Sequence, residues 1–116
     1  MDTATFNQFV RSRRSVWPNQ FEQDKKVDDE IIKDILINAT WAPNNGGEEP
    51  WQFTVFSGEG LKKLATFQSE LYKQVTGEKF KEATYLKLQQ NPLKASHVIA
   101  IGMKRSENKK DRKSVV

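Results

Sequence analysis

A single mixed domain, with helices packed against a sheet, is what this sequence predicts. Three observations carry that expectation: apolar residues at helical spacing over residues 28–40 and 59–75, a strand-type segment at residues 51–56, and a continuous apolar run at residues 97–103. With 116 residues the chain has room for one core, a size at which roughly two-thirds of the unfolded surface is buried. Apolar residues make up 36% of the chain and charged residues 29%, a polar balance for an independent globule. Part of the buried surface is therefore expected to be completed by another chain.

The first element is a short helix over residues 3–10, where Phe6, Phe9 and Val10 fall at i, i+3 and i+4 on one side. Arg13, Arg14 and Ser15 follow it. Pro18 pushes Trp17 toward extended geometry, so the basic triplet belongs to a helix end or a loop. The second helix, residues 28–40, is the best specified. Asp28 can cap it, Asp29 and Glu30 suit its positive end, and Ile31, Ile32, Ile35, Leu36 and Ala39 line one face.

Pro43 and the run Asn44-Asn45-Gly46-Gly47 then break the helix, because Asn and Gly tolerate positive φ and leave backbone N–H groups free. Residues 51–56, Trp-Gln-Phe-Thr-Val-Phe, read as a strand closed by Ser57-Gly58. A third helix over residues 59–75 carries Leu61, Leu64, Ala65, Leu71, Tyr72 and Val75 on its apolar side, and Gly77 ends it. A weaker helical stretch covers about residues 78–90 and stops at Asn91-Pro92. The run from His97 to Met103 has the pattern of a strand buried on both faces. Such a strand needs neighbours and covering helices, yet only two strands are present, so the chain reads as unfinished.

Residues 1–103 carry 13 Lys and Arg against 13 Asp and Glu, so the whole excess of +4 lies in residues 104–116. That segment lacks aromatic and periodic apolar residues and is expected to be a solvated, disordered tail beyond a domain of residues 1–103. A nucleic-acid arm is the lesser reading, since charge alone reads no sequence. The absence of cysteine excludes disulfides and thiolate chemistry. His97 is the only histidine and is expected to be a satisfied structural one. No signal-peptide core or membrane-length apolar run is seen, and a soluble, cytoplasmic protein is the expectation. No dinucleotide or P-loop glycine pattern occurs.

Two segments could bind a ligand. Arg13, Arg14 and Ser15 combine two guanidinium groups with a hydroxyl, which suits a phosphate through charge-assisted hydrogen bonds and equally suits a solvated helix end. The loop of residues 43–49 offers free backbone donors and two amide side chains to the edge of a heteroaromatic ring; its bland reading is a polar connection ahead of an anchored Trp51. Glu48 and Glu49 are adjacent and do not make a facing acid/base pair. Tyr72 and Tyr85 are explained by packing.

Arg13-Arg14-Ser15-Val16-Trp17-Pro18, the helix of residues 28–40, Ala42-Pro43-Asn44-Asn45 and Glu49-Pro50-Trp51-Gln52-Phe53, in that order, together resemble the N-terminal part of the FMN-dependent nitroreductase family. The stretch from Gly58 through Ser96-His97-Val98-Ile99-Ala100 is also similar. The resemblance implies an α+β fold, a central and mainly antiparallel sheet flanked by helices, in which two subunits interlock around two FMN sites. It implies that Arg13, Arg14 and Ser15 hold the FMN phosphate and ribityl end of one site, while Pro43, Asn44, Asn45 and Glu49 approach the flavin of the other. It also implies that NAD(P)H reduces the flavin and that a nitroaromatic, quinone or related acceptor then takes the electrons.

The departures are specific. Trp17 stands where many members have a second basic residue, shifting phosphate anchoring toward Arg14, and Asn45 and Gly46 stand where some have histidine and lysine. The family's C-terminal half, with its later phosphate ligands and the arm that embraces the partner, has no counterpart in this sequence. The expectation is thus an oxidoreductase acting as a homodimer or with a full-length relative. The alternative is a non-catalytic, truncated remnant or interaction module pairing with such a relative.

Overall fold

The computed structural model describes residues 1–42 and 51–103. They form α1 (Thr3–Arg11), α2 (Asp29–Ala39), β1 (Trp51–Ser57), α3 (Glu59–Thr76), α4 (Glu82–Gln90) and β2 (His97–Met103). Three short 3₁₀ turns, Pro18–Gln20, Gly77–Lys79 and Asn91–Lys94, lie between them.

Both N-terminal helices are closed by local polar groups. Asp2 Oδ1 accepts from the Thr5 N–H at 2.7 Å, and that bond to the charged form holds the Asp2 carboxyl below its ordinary range. Asp28 caps α2 in the same way, accepting from the Glu30 N–H at 3.2 Å. At the other end the Thr40 hydroxyl donates to the Ile37 carbonyl at 2.6 Å. Tertiary packing is sparse here: α1 has no buried residue, and α2 buries Ile32 alone.

β1 and β2 pair antiparallel, with Trp51 opposite Met103 and Ser57 opposite His97. Side chains alternate across a strand, so one face carries Phe53 and Val55 against Ile101 and Ile99, and the other carries Gln52 and Thr54 against Gly102 and Ala100. The architecture is α+β with an antiparallel sheet, as predicted. β2 is not buried on both faces, however: Ala100 and Gly102 are exposed and Ile101 is 72% exposed. The reason is that the described residues make a sheet of two strands, leaving the outer edge and much of each face without a neighbour.

The packed part of the molecule centres on α3. Gly58 and Gly77, at φ 54° and 52°, bound this helix in a backbone region that side-chain-bearing residues avoid. Leu61, Ala65 and Ser69, spaced i, i+4 and i+8, are its buried stripe. Two of the three are small, which lets neighbouring chain approach closely. Gln68 Nε2 donates to the Leu88 carbonyl of α4 at 2.6 Å, and Phe80 lies between Tyr72 and Tyr85 with ring centroids 5.6 and 5.7 Å away. The expected helix over residues 78–90 is therefore split. Gly77 opens a 3₁₀ turn, Phe80 is extended, and the Tyr72 hydroxyl accepts from the Lys81 N–H at 3.0 Å just ahead of α4.

Candidate functional site

An arm joins α1 to α2 and begins with the basic triplet. Arg13, Arg14 and Ser15 are all exposed, as a ligand-binding segment requires. Arg14 is partly engaged, because its Nη1 donates to the Arg11 carbonyl at 2.7 Å and to the Arg13 carbonyl at 2.9 Å. The guanidinium thus helps to close the end of α1, satisfying carbonyls that a helix end leaves open, and keeps its remaining N–H groups for a ligand. Arg13 and Ser15 side chains make no hydrogen bond to another described residue.

Two residues beyond Ser15 the chain turns sharply. Trp17 is extended ahead of Pro18, as the proline requires. Gln20 fixes the turn: its Oε1 accepts from the Trp17 N–H at 3.0 Å, and its own N–H donates to the Trp17 carbonyl at 2.8 Å. This turn packs against Asn91–Lys94. Between them is a cleft of about 380 Å³ lined by Trp17, Pro18, Asn19, Lys87, Asn91 and Lys94. Neither lysine belongs to an ion pair among the described residues, whereas Lys25, Lys33 and Lys62 each face a glutamate. The cleft therefore combines an exposed indole, two amides and two ammonium groups that pair with no described carboxylate.

Sequence reasoning missed Lys87, Asn91 and Lys94. A signal was available in their spacing of i, i+4 and i+7, which aligns them along one side of a helix continued into its terminal turn. It was masked because lysines on a weakly amphipathic helix are ordinary.

A larger cavity of about 560 Å³ lies under the arm, bordered by Val16, Phe21, Val27, Ile32, His97 and Ile99. His97 closes one side with both ring nitrogens occupied: Nδ1 is 2.8 Å from Ser96 Oγ and Nε2 is 2.7 Å from Asp29 Oδ1. Ser96 Oγ also accepts from the Val27 N–H at 2.7 Å. His97 is a satisfied histidine, as expected, with a side chain 7% exposed. Its partners were not legible from spacing, since Asp29 lies 68 residues away.

Pro43, Asn44, Asn45 and Glu49 lie outside the described residues, as does the charged segment of residues 104–116. Among the described residues no cluster of three potential metal ligands occurs, and no helix is long and apolar enough to cross a membrane.

The cleft sets two lysines beside an arginine-led arm on an antiparallel α+β scaffold. The Nitroreductase family model matches residues 10–115, and the chain belongs to that family. It is 32% identical over 74 residues to the nitrobenzene nitroreductase of Ectopseudomonas oleovorans, covering 63% of this chain and 31% of that protein. It is 36% identical over 75 residues to the putative NAD(P)H nitroreductase YdgI of Bacillus subtilis (strain 168), covering 64% of this chain and 35% of that one. A crystal structure of a nitroreductase-like family protein from Bacillus cereus superposes with a TM-score of 0.70 at 26% identity, covering 97% of this chain and 57% of the other. The chain spans about a third of the length of the curated relatives it matches.

Proposed function

We propose that this chain contributes an FMN site to an oxidoreductase of nitroreductase type, in which NAD(P)H is the electron donor and a nitroaromatic, quinone or related small molecule the acceptor. The observation that carries the reading is the cleft at Trp17, Lys87 and Lys94, which begins two residues beyond Ser15. A flavin mononucleotide has a dianionic phosphate and a flat ring with polar edges, and this donor set fits both. Arg13, the free N–H groups of Arg14, the Ser15 hydroxyl and the two lysines match the phosphate end. Asn19, Asn91 and the Trp17 indole match the ring and the ribityl chain.

When bound, the flavin supplies the redox chemistry itself. The chain's residues would hold it: Arg13, Arg14, Ser15, Lys87 and Lys94 would neutralise the phosphate, and Asn19 and Asn91 would offer amide hydrogen bonds. In this reading Pro43, Asn44, Asn45 and Glu49 approach the flavin from a second subunit. The partner is a second copy of this chain or a full-length relative.

The test is a titration of the purified chain with FMN, followed in the visible spectrum and then by addition of NADH or NADPH. Uptake of FMN and bleaching of its absorbance are expected. A protein that stays colourless at high FMN overturns the reading.

A second reading, a non-catalytic interaction module that pairs with a full-length relative, is favoured by one observation. Among the described residues the two-stranded sheet has open edges, and Ile101 on β2 is 72% exposed, a surface that recruits partners or aggregates. Size-exclusion chromatography tests this reading, because a soluble compact monomer contradicts a pairing module.

A further inference from the structure

The arm that carries Arg13, Arg14 and Ser15 has little to hold it in place. α1 buries nothing and α2 buries only Ile32. Among the described residues, two hydrogen-bonded links join residues 1–42 to residues 51–103, and both converge on adjacent residues. Val27 donates its N–H to Ser96 Oγ, and Asp29 pairs with His97 Nε2. Ser96 and His97 also bond to each other, so the two links form one clasp.

The contacts form one consistent hydrogen-bonded chain. In the tautomer with the proton on Nε2, that N–H donates to the Asp29 carboxylate, and Nδ1 accepts from the Ser96 hydroxyl, whose oxygen accepts in turn from the Val27 N–H. Every polar group in the chain of contacts is paired. The clasp residues Val27, Ser96 and His97 line the same 560 Å³ cavity as Val16, the residue next to Ser15. Pinning Val27 and Asp29 to the start of β2 therefore fixes where the arm re-enters the fold.

We infer that His97, acting through Ser96 and Asp29, is a positioning residue that locks the Val16-to-Asp29 arm onto the sheet and so presets the anion-binding triplet. The consequence for FMN affinity rests on the flavin reading above; the locking of the arm does not.

The experiment uses the full chain with His97→Leu, His97→Gln and Ser96→Ala, and reads amide hydrogen exchange at Val27 in the ligand-free protein alongside the FMN dissociation constant. Leucine keeps bulk and loses both polar contacts, whereas glutamine can still donate toward Asp29. Expected are a rise of roughly tenfold in Val27 exchange for Ser96→Ala and His97→Leu, about the effect of one lost hydrogen bond, and a similar weakening of FMN. His97→Gln should recover part of the FMN affinity, which a purely space-filling role would not allow. Exchange at Gln68 and Leu88, which take no part in the clasp, should not move and reports on the fold. If His97→Leu does not fold, Ser96→Ala, which deletes a single oxygen, carries the test.

Val27 exchange unchanged in every folded variant overturns the clasp, whatever FMN does. Faster exchange with unchanged FMN affinity overturns the positioning role. Wild-type chain that takes up no FMN overturns the flavin reading and the presetting of its site, while the exchange data still decide whether the arm is locked.

Discussion

The helices on either side of β1 have sequence patterns of similar quality and opposite fates. On the C-terminal side, α3 buries Leu61, Ala65 and Ser69, and its neighbour α4 is tied to it by Gln68 and by the Tyr72, Phe80 and Tyr85 rings. On the N-terminal side, Phe6, Phe9 and Val10 of α1 and Ile31, Ile35 and Ile37 of α2 remain exposed. An amphipathic pattern states that a face is to be covered, not by what. α3 finds cover for Leu61, Ala65 and Ser69 within the described residues while Leu71 and Val75 stay exposed, whereas α1 and most of α2 present their apolar faces outward.

The sharpest way to test that contrast is to truncate one side chain on each side. Leu61→Ala, at a site 3% exposed, should cost about 2–5 kcal/mol in chemical denaturation. Phe9→Ala, at a site 70% exposed, should stay within about 0.5 kcal/mol in the isolated chain. A large cost for Phe9→Ala would mean that α1 is covered in solution and would break the comparison.

Gly77→Ala tests the boundary of the packed region. Nothing lies within 4 Å of the added methyl, so the whole cost is conformational, about 1–2 kcal/mol for forcing φ 52° on a side-chain-bearing residue. Denaturant midpoints at unchanged slope check it.

Replacing Lys87 and Lys94 together by alanine should weaken FMN by roughly tenfold while leaving the denaturation midpoint within experimental scatter. The salt dependence of FMN binding should flatten in the same variant if these lysines meet the phosphate as proposed, because two charges are gone. Unchanged affinity would separate the cleft from the site.

The smallest effects are electrostatic and lie at opposite ends of the pH scale. The Asp2 carboxyl is lowered by its bond from Thr5, so its contribution is present above the ordinary carboxylate range and is lost as pH falls through the depressed value. Circular dichroism should show α1 fraying in acid, and Asp2→Ala should remove that transition. The Tyr85 phenol is raised, first by donating to Glu70 Oε1 at 2.9 Å. Its contribution is full below the ordinary phenol range and disappears as pH rises through the elevated value. Tyr85→Phe should abolish that alkaline component.

Much of the scaffold was legible residue by residue. The capping aspartate at 28, the glycines at 58 and 77 and the strand beginning at Trp51 are set within a few residues of themselves, and all appear where the pattern put them. The split of the predicted fourth helix was not legible, because it depends on Phe80 lying between two tyrosines brought together by tertiary contact. In the candidate site, the exposed triplet at Arg13 was readable as chemistry. Lys87, Asn91 and Lys94 were not, since only the packing of two 3₁₀ turns sets them beside Trp17.

Local order alone determined where the helices and strands begin and end, the start of α4 excepted, and which residue types are available to meet an anion, because propensity, capping and turn chemistry are short-range. Tertiary structure alone decided that Ser96 and His97 clasp a segment some 68 residues distant, and that two lysines answer a tryptophan across a cleft. Those juxtapositions are set by which apolar faces find cover, a long-range outcome of excluding water that spacing along the chain does not encode.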